Sequence, residues 1–435
     1  MMLRQFFRNI RTLSNNHIPA QLVIQMTSHC NARCPQCGMR STAEIPRRRL
    51  ASDEIKHILD AAAERGVQAV SFTGGEPLLF QDELISLIEY ASRAGIPFIR
   101  TGTNGFLFRH ADHKDFSDRV KKLADRLAAT PLRNFWISLD SAVPEVHERM
   151  RGFPGVVRGI EKALPLFHAA GLFPSANMGL NRMVGGEATA ALDPQSFSSD
   201  QEYLAVFSQR YREALDCFYH LVRNLGFTMV NTCYPMSISC EEMETGLHPV
   251  YAATTTDAVV RFSAAEKAAL YKALLDTIPK HRHHLRIFSP LSSIYSLHRR
   301  HLNSHPDETF GCRGGIDFFY IDADGGDTYP CGYRGNENMG KFWQLDFSAR
   351  KTDHDCRLCD WECFRDPSEL CAPLLNMFKN PLRLILQMRR HTIYRRLWLE
   401  DIRYFRACSF FNARIKPDYA QLYRFQGQGE LPGAR

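Results

Sequence analysis

Through its first 250 residues the chain alternates short apolar runs with longer stretches of helical periodicity. QLVIQM (21–26), QAVSFT (68–73), PFIRTG (97–102), NFWISL (134–139), PSANMGL (174–180) and FTMVNTCY (227–234) have the length and the β-branched and aromatic content of buried strands. Amphipathic segments lie between them. One opens near Ser52, whose hydroxyl is expected to cap free amides while Asp53 and Glu54 face the positive end of the helix dipole. Others are DELISLIEYASRAG, ended by Gly95, and GVVRGIEKALPLFHAAG, ended by Gly171. The alternation predicts an α/β fold built on a parallel sheet. Its six βα units predict a partial (β/α)6 TIM-like barrel, two units short of a closed eightfold one.

The rhythm changes at 183–225, where a polar, glycine- and serine-bearing loop precedes one long helix, read as a lid or an insertion over the strand ends. The expected organisation is a basic amphipathic N-terminal segment (1–19), the partial barrel (20–245) and a helical connecting segment (246–309). A small cysteine-rich α+β domain (310–375) and a basic helical tail (376–435) follow.

Composition narrows the class. With 435 residues, 44% apolar and 23% charged, the chain is an ordinary globular one, which excludes disorder, collagen and coiled coil as whole-chain readings. No apolar run approaches the roughly 20 residues of a membrane span, and the opening MMLRQFFRNIRTLSNN lacks the pattern of a secretory signal. The expectation is a cytoplasmic protein, peripheral to the inner face of a membrane at most. The formal charge is +7, and Ala372 to Lys416 carries ten Lys and Arg against Glu400 and Asp401, so the basic character belongs to the tail.

Of thirteen cysteines, nine fall in two clusters, which points to metal or redox chemistry rather than a disulfide framework. Cys30, Cys34 and Cys37 form C-x3-C-x2-C just after the first predicted strand. Three thiolates so spaced can wrap one face of a [4Fe–4S] cluster and leave an open iron; a structural zinc loop completed by His29 is the plainer alternative. At the end of the second strand stands Thr73-Gly74-Gly75-Glu76-Pro77. Its glycines admit a ligand close to the backbone, and Glu76 offers a carboxylate for an amine.

Together these motifs resemble the radical S-adenosylmethionine (SAM) superfamily over roughly residues 20 to 240. The resemblance implies that Cys30, Cys34 and Cys37 hold a [4Fe–4S] cluster whose open iron is chelated by SAM. It also implies that the backbone of Gly74, Gly75, Glu76 and Pro77 lies against the SAM amine. Asn104, in the Thr103-Asn104-Gly105 turn, fits the same frame, as do Ser138 near the ribose and Arg151 opposite the methionine carboxylate, following Ile137 to Ser141 and His147. One departure is Gln36, where the superfamily commonly has an aromatic residue against the adenine.

The second cluster, Cys312, Cys331, Cys356, Cys359, Cys363 and Cys371, resembles a SPASM/twitch extension, with GGIDFFYIDADG forming a hairpin. A zinc ribbon is the alternative. Six thiolates cannot supply four ligands to each of two cubanes, so one auxiliary [4Fe–4S] cluster is expected, on Cys312, Cys331, Cys356 and Cys359. Cys363 and Cys371 remain as alternative ligands or as part of a second, incompletely ligated site. Gly332 stands where sulfatase-maturing relatives carry an acidic base, which disfavours formylglycine formation.

His281, His283, His284, His298, His301 and His305 are interleaved with arginines and read as a solvated basic segment. The N-terminal segment and NPLRLILQMRRHTIYRRLWLEDIRYFR mix arginines with apolar residues. They read either as helices packed on the barrel or as helices lying on an anionic bilayer; a nucleic-acid patch ranks last.

The resemblance therefore implies a radical SAM oxidoreductase, reduced by an external flavodoxin- or ferredoxin-type donor. Such an enzyme cleaves SAM to a 5′-deoxyadenosyl radical that abstracts a hydrogen atom from the substrate. Its substrate is expected to be a peptide or small metabolite, with a lipid or isoprenoid as the alternative. No catalytic acid or base can be named. The reading of a different class is a noncatalytic iron–sulfur or zinc-binding interaction protein.

Overall fold

The structure, a computed structural model, describes residues 10–37, 47–235, 246–250, 258–302, 310–347 and 356–427. The first nine residues, Cys240 and His305 lie outside them. Strands β1 (Gln21–Thr27), β2 (Ala69–Gly74), β3 (Phe98–Thr103), β4 (Asn134–Ser138), β5 (Ser175–Gly179) and β6 (Met229–Cys233) run parallel, side by side in chain order. This is the partial six-unit barrel that the alternation predicts. The two-residue β7 (Arg286–Ile287) follows β6. At the opposite edge β8 (Phe318–Ile321) pairs parallel with β1, and β9 (Thr328–Tyr329) pairs antiparallel with β8. The expected hairpin of the cysteine-rich region thus extends the barrel's own sheet.

The longer helices are α1 (Ser52–Glu64), α2 (Gln81–Arg93), α3 (Phe116–Ala129), α4 (Pro144–Arg151), α5 (Val156–Ala169), α6 (Asp200–Leu225), α7 (Ala264–His281), α8 (Leu291–His301), α9 (Glu362–Lys379), α10 (Pro381–Arg390) and α11 (Thr392–Ala407). Helix α1 shows why they form. Ile55, Ile58, Leu59 and Ala62 recur on one face and are buried on the sheet, while Asp53 and Asp60 stay in water. Every residue of β1 is buried, because helices cover one side and the lumen contents the other. Ser52 does not cap α1. Ala51 holds the cap position in extended conformation, and the Ser52 hydroxyl donates instead to the Glu83 carboxylate on α2. Helix α6, the long helix of the 183–225 stretch, packs along α7.

The basic tail divides. Helix α11 is docked: Tyr394, Leu397, Asp401 and Tyr404 are buried. Asp401 accepts from Arg282 Nη2 at 2.8 Å, the Leu291 amide at 3.0 Å, and the amide and hydroxyl of Ser292 at 2.8 and 2.7 Å. Its carboxylate thus satisfies free amides at the start of α8, where the helix dipole favours an anion. Replacing Asp401 with alanine leaves the buried Arg282 guanidinium with only the more distant Glu400, 3.7 Å away, and we expect a loss of about 3 kcal/mol in denaturant unfolding. An unchanged midpoint would mean that the tail does not hold α8. Helix α10 buries no residue.

The expected solvated histidine segment is folded instead. His298 Nδ1 lies 2.8 Å from the Ala268 carbonyl, and His301 stacks on Tyr271 with Nε2 2.8 Å from Asp360. His281 is buried at the end of α7.

Candidate active site

The cysteine loop and the glycine turn are one construction. The Gly75 amide donates to the Thr27 carbonyl and the Glu76 amide to the His29 carbonyl, both at 2.8 Å. A Cβ at Gly74 would sit 2.2 Å from the Thr27 oxygen, and one at Gly75 would sit 2.0 Å from the His29 oxygen. Both glycines are therefore required by backbone-to-backbone contact between the turn after β2 and the loop after β1. Glu76 is buried, and its two oxygens accept the Leu78 and Asn104 amides at 3.1 and 2.6 Å. The carboxylate ties the ends of β2 and β3 together. Burial pushes it up to about 7.

Asn104 extends the link. Its amide donates to Asn31 Oδ1 at 2.9 Å and approaches the Cys30 sulfur at 3.7 Å. Burial raises the Cys30 thiol and pushes Cys34 up to about 11, with the Arg151 guanidinium opposing the rise at both. Neutral thiols gathered beside a cation form a donor set that a metal cluster converts to thiolates.

Arg151 is paired within the protein. Its Nε and Nη2 lie 2.8 and 2.5 Å from Asp140 Oδ2, which also accepts from Gln36 Nε2 at 2.8 Å. Asp140 Oδ1 receives the Gly179 amide at 3.1 Å, and the Asp140 amide donates to His147 Nδ1 at 3.1 Å. Burial lowers His147 to about 4, so it serves as a neutral acceptor. Gln36, in the position expected to cover adenine, is thus part of a polar clasp centred on Asp140. That residue stood in the fourth-strand segment with no role of its own, and no local spacing marks it.

Cys30, Cys34, Cys37, Gly74 to Pro77, Asn104, Ser138 and Arg151 all line one cavity of about 290 Å³ at the C-terminal ends of the strands. The cavity continues into the barrel lumen, where residues that sequence reasoning did not single out appear. Arg100, on β3, donates from Nε to Ser71 at 2.6 Å, and Asn134, Asn177 and Asn231 give the wall further amides. Trp136 packs where a Cβ at Gly102 would stand, 2.0 Å from its indole nitrogen. Phe288 and Phe411 lie where the strands begin. The start of α9 closes the open seam: Glu362 accepts the Tyr234 amide beyond β6 at 3.2 Å, and Tyr320 of β8 donates to Gln25 of β1 at 2.8 Å.

The second cysteine cluster separates into two parts. Burial raises the Cys312, Cys331 and Cys359 thiols, and the neighbouring thiols of this set, Cys356 among them, add to the rise; the Cys312 amide donates to the Cys356 carbonyl at 2.8 Å. The Gly314 and Tyr333 amides point at the Cys312 and Cys331 sulfurs, each at 3.4 Å. Arg365 adds positive charge near Cys312, and Arg334 near Cys331 and Cys356. Cys363 and Cys371 stand apart from this quartet. Cys363 lines the barrel cavity beside Glu362 and near Cys233, while Cys371 lies near Asp317.

Spacing speaks to the kind of metal. A single tetrahedral zinc with Zn–S of about 2.3 Å sets its sulfurs about 3.8 Å apart. Among the described residues, no three of these thiols lie within 4.8 Å of one another. A multi-iron cluster, which spreads its thiolates over several metal atoms, suits both groups better.

A three-cysteine loop after β1 is thus hydrogen-bonded to a glycine turn after β2 at the mouth of a parallel partial barrel, the juxtaposition that the two sequence motifs imply. Residues 24–188 match the Radical SAM superfamily. Curated relatives include the AdoMet-dependent heme synthase of Methanosarcina barkeri, 29% identical over 33% of this chain and 37% of that protein. A probable GTP 3′,8-cyclase of Thermococcus kodakarensis is 31% identical over 37% of this chain and 48% of that one. The chain thus spans half or less of the length of these relatives. Among solved structures, Streptococcus suis SuiB bound to the precursor peptide SuiA aligns with 79% of this chain and 67% of its own, at 16% identity and a TM-score of 0.47. Native anSMEcpe with bound AdoMet aligns with 84% and 98%, at 15% identity and the same TM-score.

Proposed function

We propose that the chain is a radical SAM enzyme that acts on a peptide or small metabolite through an anionic group seated at Arg100. A [4Fe–4S] cluster on Cys30, Cys34 and Cys37 with SAM bound supplies one-electron cleavage of SAM and so hydrogen-atom abstraction, fed by an external flavodoxin- or ferredoxin-type reductant. The chain's residues do the rest. The Gly74–Pro77 backbone and Asn104 border the methionine end of the cofactor, Asp140 fixes Arg151 toward that end, and Ser138 lies on the ribose side. The lumen below positions the substrate and excludes water. We assign an auxiliary [4Fe–4S] cluster to Cys312, Cys331, Cys356 and Cys359, in reach of the lumen through Trp361 and Glu362.

The observation that carries this reading is the single cavity shared by the three cysteines, the glycine turn and Arg100. Arginine presents a planar fork that suits a carboxylate or phosphate, and inside a lumen whose lining is mostly apolar it selects for one. Anionic compounds should stimulate 5′-deoxyadenosine formation by the loaded enzyme, and their neutral amides should not. Arg100→Leu should abolish that stimulation by at least about a hundredfold while leaving the unstimulated rate unchanged. Equal stimulation by amides would remove Arg100 from substrate recognition.

A second reading, peripheral attachment to an anionic membrane with a lipid as substrate, is favoured by α10. Leu382, Ile385 and Leu386 are exposed apolar residues on α10, Leu382 at 74%, flanked by Arg383, Arg389 and Arg390, with Phe378 exposed at the end of α9. Among the described residues no helix is long and apolar enough to cross a membrane. In flotation assays the protein should bind phosphatidylglycerol vesicles, less so at high salt, and Leu382→Ser with Leu386→Ser should release it. Binding that survives both substitutions would exclude α10 as the contact.

A further inference from the structure

Away from the barrel mouth, α6 and α7 bring together side chains that lie some sixty residues apart in the chain. Asp216 and His220 stand four residues apart on α6, hence on one face, and His281 is the last residue of α7. One ligand atom from each of the three lies within 4.8 Å of the others, and among the described residues this is the only such triad. We propose that Asp216, His220 and His281 form a divalent transition-metal site of the two-histidine, one-carboxylate type, suited to Zn2+, that clamps α6 to α7.

Hydrogen bonds around the triad orient the ligand nitrogens. His220 Nδ1 lies 2.8 Å from the Asp216 carbonyl oxygen and 3.5 Å from Asp216 Oδ2, so the imidazole is held against the carboxylate of its own helix. His281 Nε2 lies 2.8 Å from Asp216 Oδ1, a contact in which a metal ion takes the place of a proton. With the metal bound, the His281 proton moves to Nδ1, which lies 3.3 Å from His284 Nε2, and His284 Nδ1 lies 2.9 Å from His283 Nε2. A relay of this kind, fixing the far nitrogen of a ligand histidine, is what holds ligand imidazoles in orientation at metal sites. The C-terminal end of α7 adds the negative end of its helix dipole, which favours a cation.

His281 is buried, whereas Asp216 and His220 are about half exposed, leaving room for water as the fourth ligand. Imidazole and carboxylate together suit Zn2+ over Mg2+ or Ca2+, which prefer all-oxygen ligands. This site is independent of the thiols and of the radical SAM reading.

The test uses untagged full-length protein with its iron–sulfur clusters loaded, so that the cysteines are occupied, and titrates it with Zn2+ by calorimetry and X-ray absorption. The expected result is one Zn2+ per chain beyond the iron, with nitrogen and oxygen neighbours. His220→Ala, at a half-exposed position and with its fold checked by circular dichroism, should weaken binding at least about tenfold, and Asp216→Asn should do likewise. Wild-type affinity in both variants would overturn the proposal, as would a zinc spectrum dominated by sulfur.

Discussion

Gly75→Ala should empty the cysteine loop of iron while leaving the rest of the barrel folded. The added methyl would lie 2.0 Å from the His29 carbonyl oxygen and 2.5 Å from its carbon, both backbone atoms that no rotamer change can move. The same oxygen accepts the Glu76 amide, so any shift that relieves the clash also breaks a bond joining the turn to the loop. Overpacking of ordinary cores costs about 1–3 kcal/mol, and a backbone clash with a lost hydrogen bond should reach the upper end. The loop would move away from the turn before the fold gave way. Iron should fall by about four per chain, the content of one cubane, and 5′-deoxyadenosine formation should drop below detection. Gly95→Ala is the control. Gly95 has φ +104°, and a Cβ there meets nothing within 4 Å, so a loss of about 1 kcal/mol with full iron content is expected. Equal iron in both variants would contradict the joint construction of loop and turn.

Asp140→Asn should weaken SAM binding at least tenfold with iron content intact. Asp140 is the counter-charge of Arg151 and the acceptor for Gln36 and the Gly179 amide, all within 3.1 Å. Asparagine keeps the shape and one acceptor oxygen but removes the charge. Arg151 is then a mostly buried guanidinium without its partner, a change that typically costs about 3–5 kcal/mol. Part of that cost falls on the fold and part on the cofactor, because Arg151 loses the orientation that aims it at the mouth. Calorimetric titration of the cluster-loaded variant with SAM separates the two. Unchanged SAM affinity with lower unfolding stability would make the Asp140 clasp purely structural.

What the sequence made legible was local. The six strands fall within two residues of the apolar runs that predicted them, because both faces of a parallel strand are buried and the run is continuous. The cysteine and glycine motifs follow successive strands, so their meeting at the barrel mouth follows from chain order. Ser52 misled because a helix start offers two adjacent positions, and the hydroxyl found a partner on α2 instead.

What was not legible depends on distant pairings. The sequence reading put Cys312, Cys331, Cys356 and Cys359 together and left Cys363 and Cys371 over, but it did not show that the start of α9 brings Cys363 to the lumen. Arg100 lies on a strand with no charge partner nearby in the chain; its surroundings come from Ser71 and from Glu362, more than 250 residues away. The histidines near 281 read as solvated because their partners, Asp216 and His220, stand on another helix. The pairing of β8 with β1 spans some three hundred residues, a register that hydrophobic pattern alone does not fix.

The most direct measurement is anaerobic. The protein is loaded with iron and sulfide, its iron is counted, it is reduced and given SAM, and 5′-deoxyadenosine is assayed. The account predicts about eight irons per chain, two cubanes, and formation of 5′-deoxyadenosine that Cys34→Ala abolishes while about four irons remain on the quartet. Bound zinc in place of iron, with SAM left intact, would contradict it and leave a metal-stabilised binding protein.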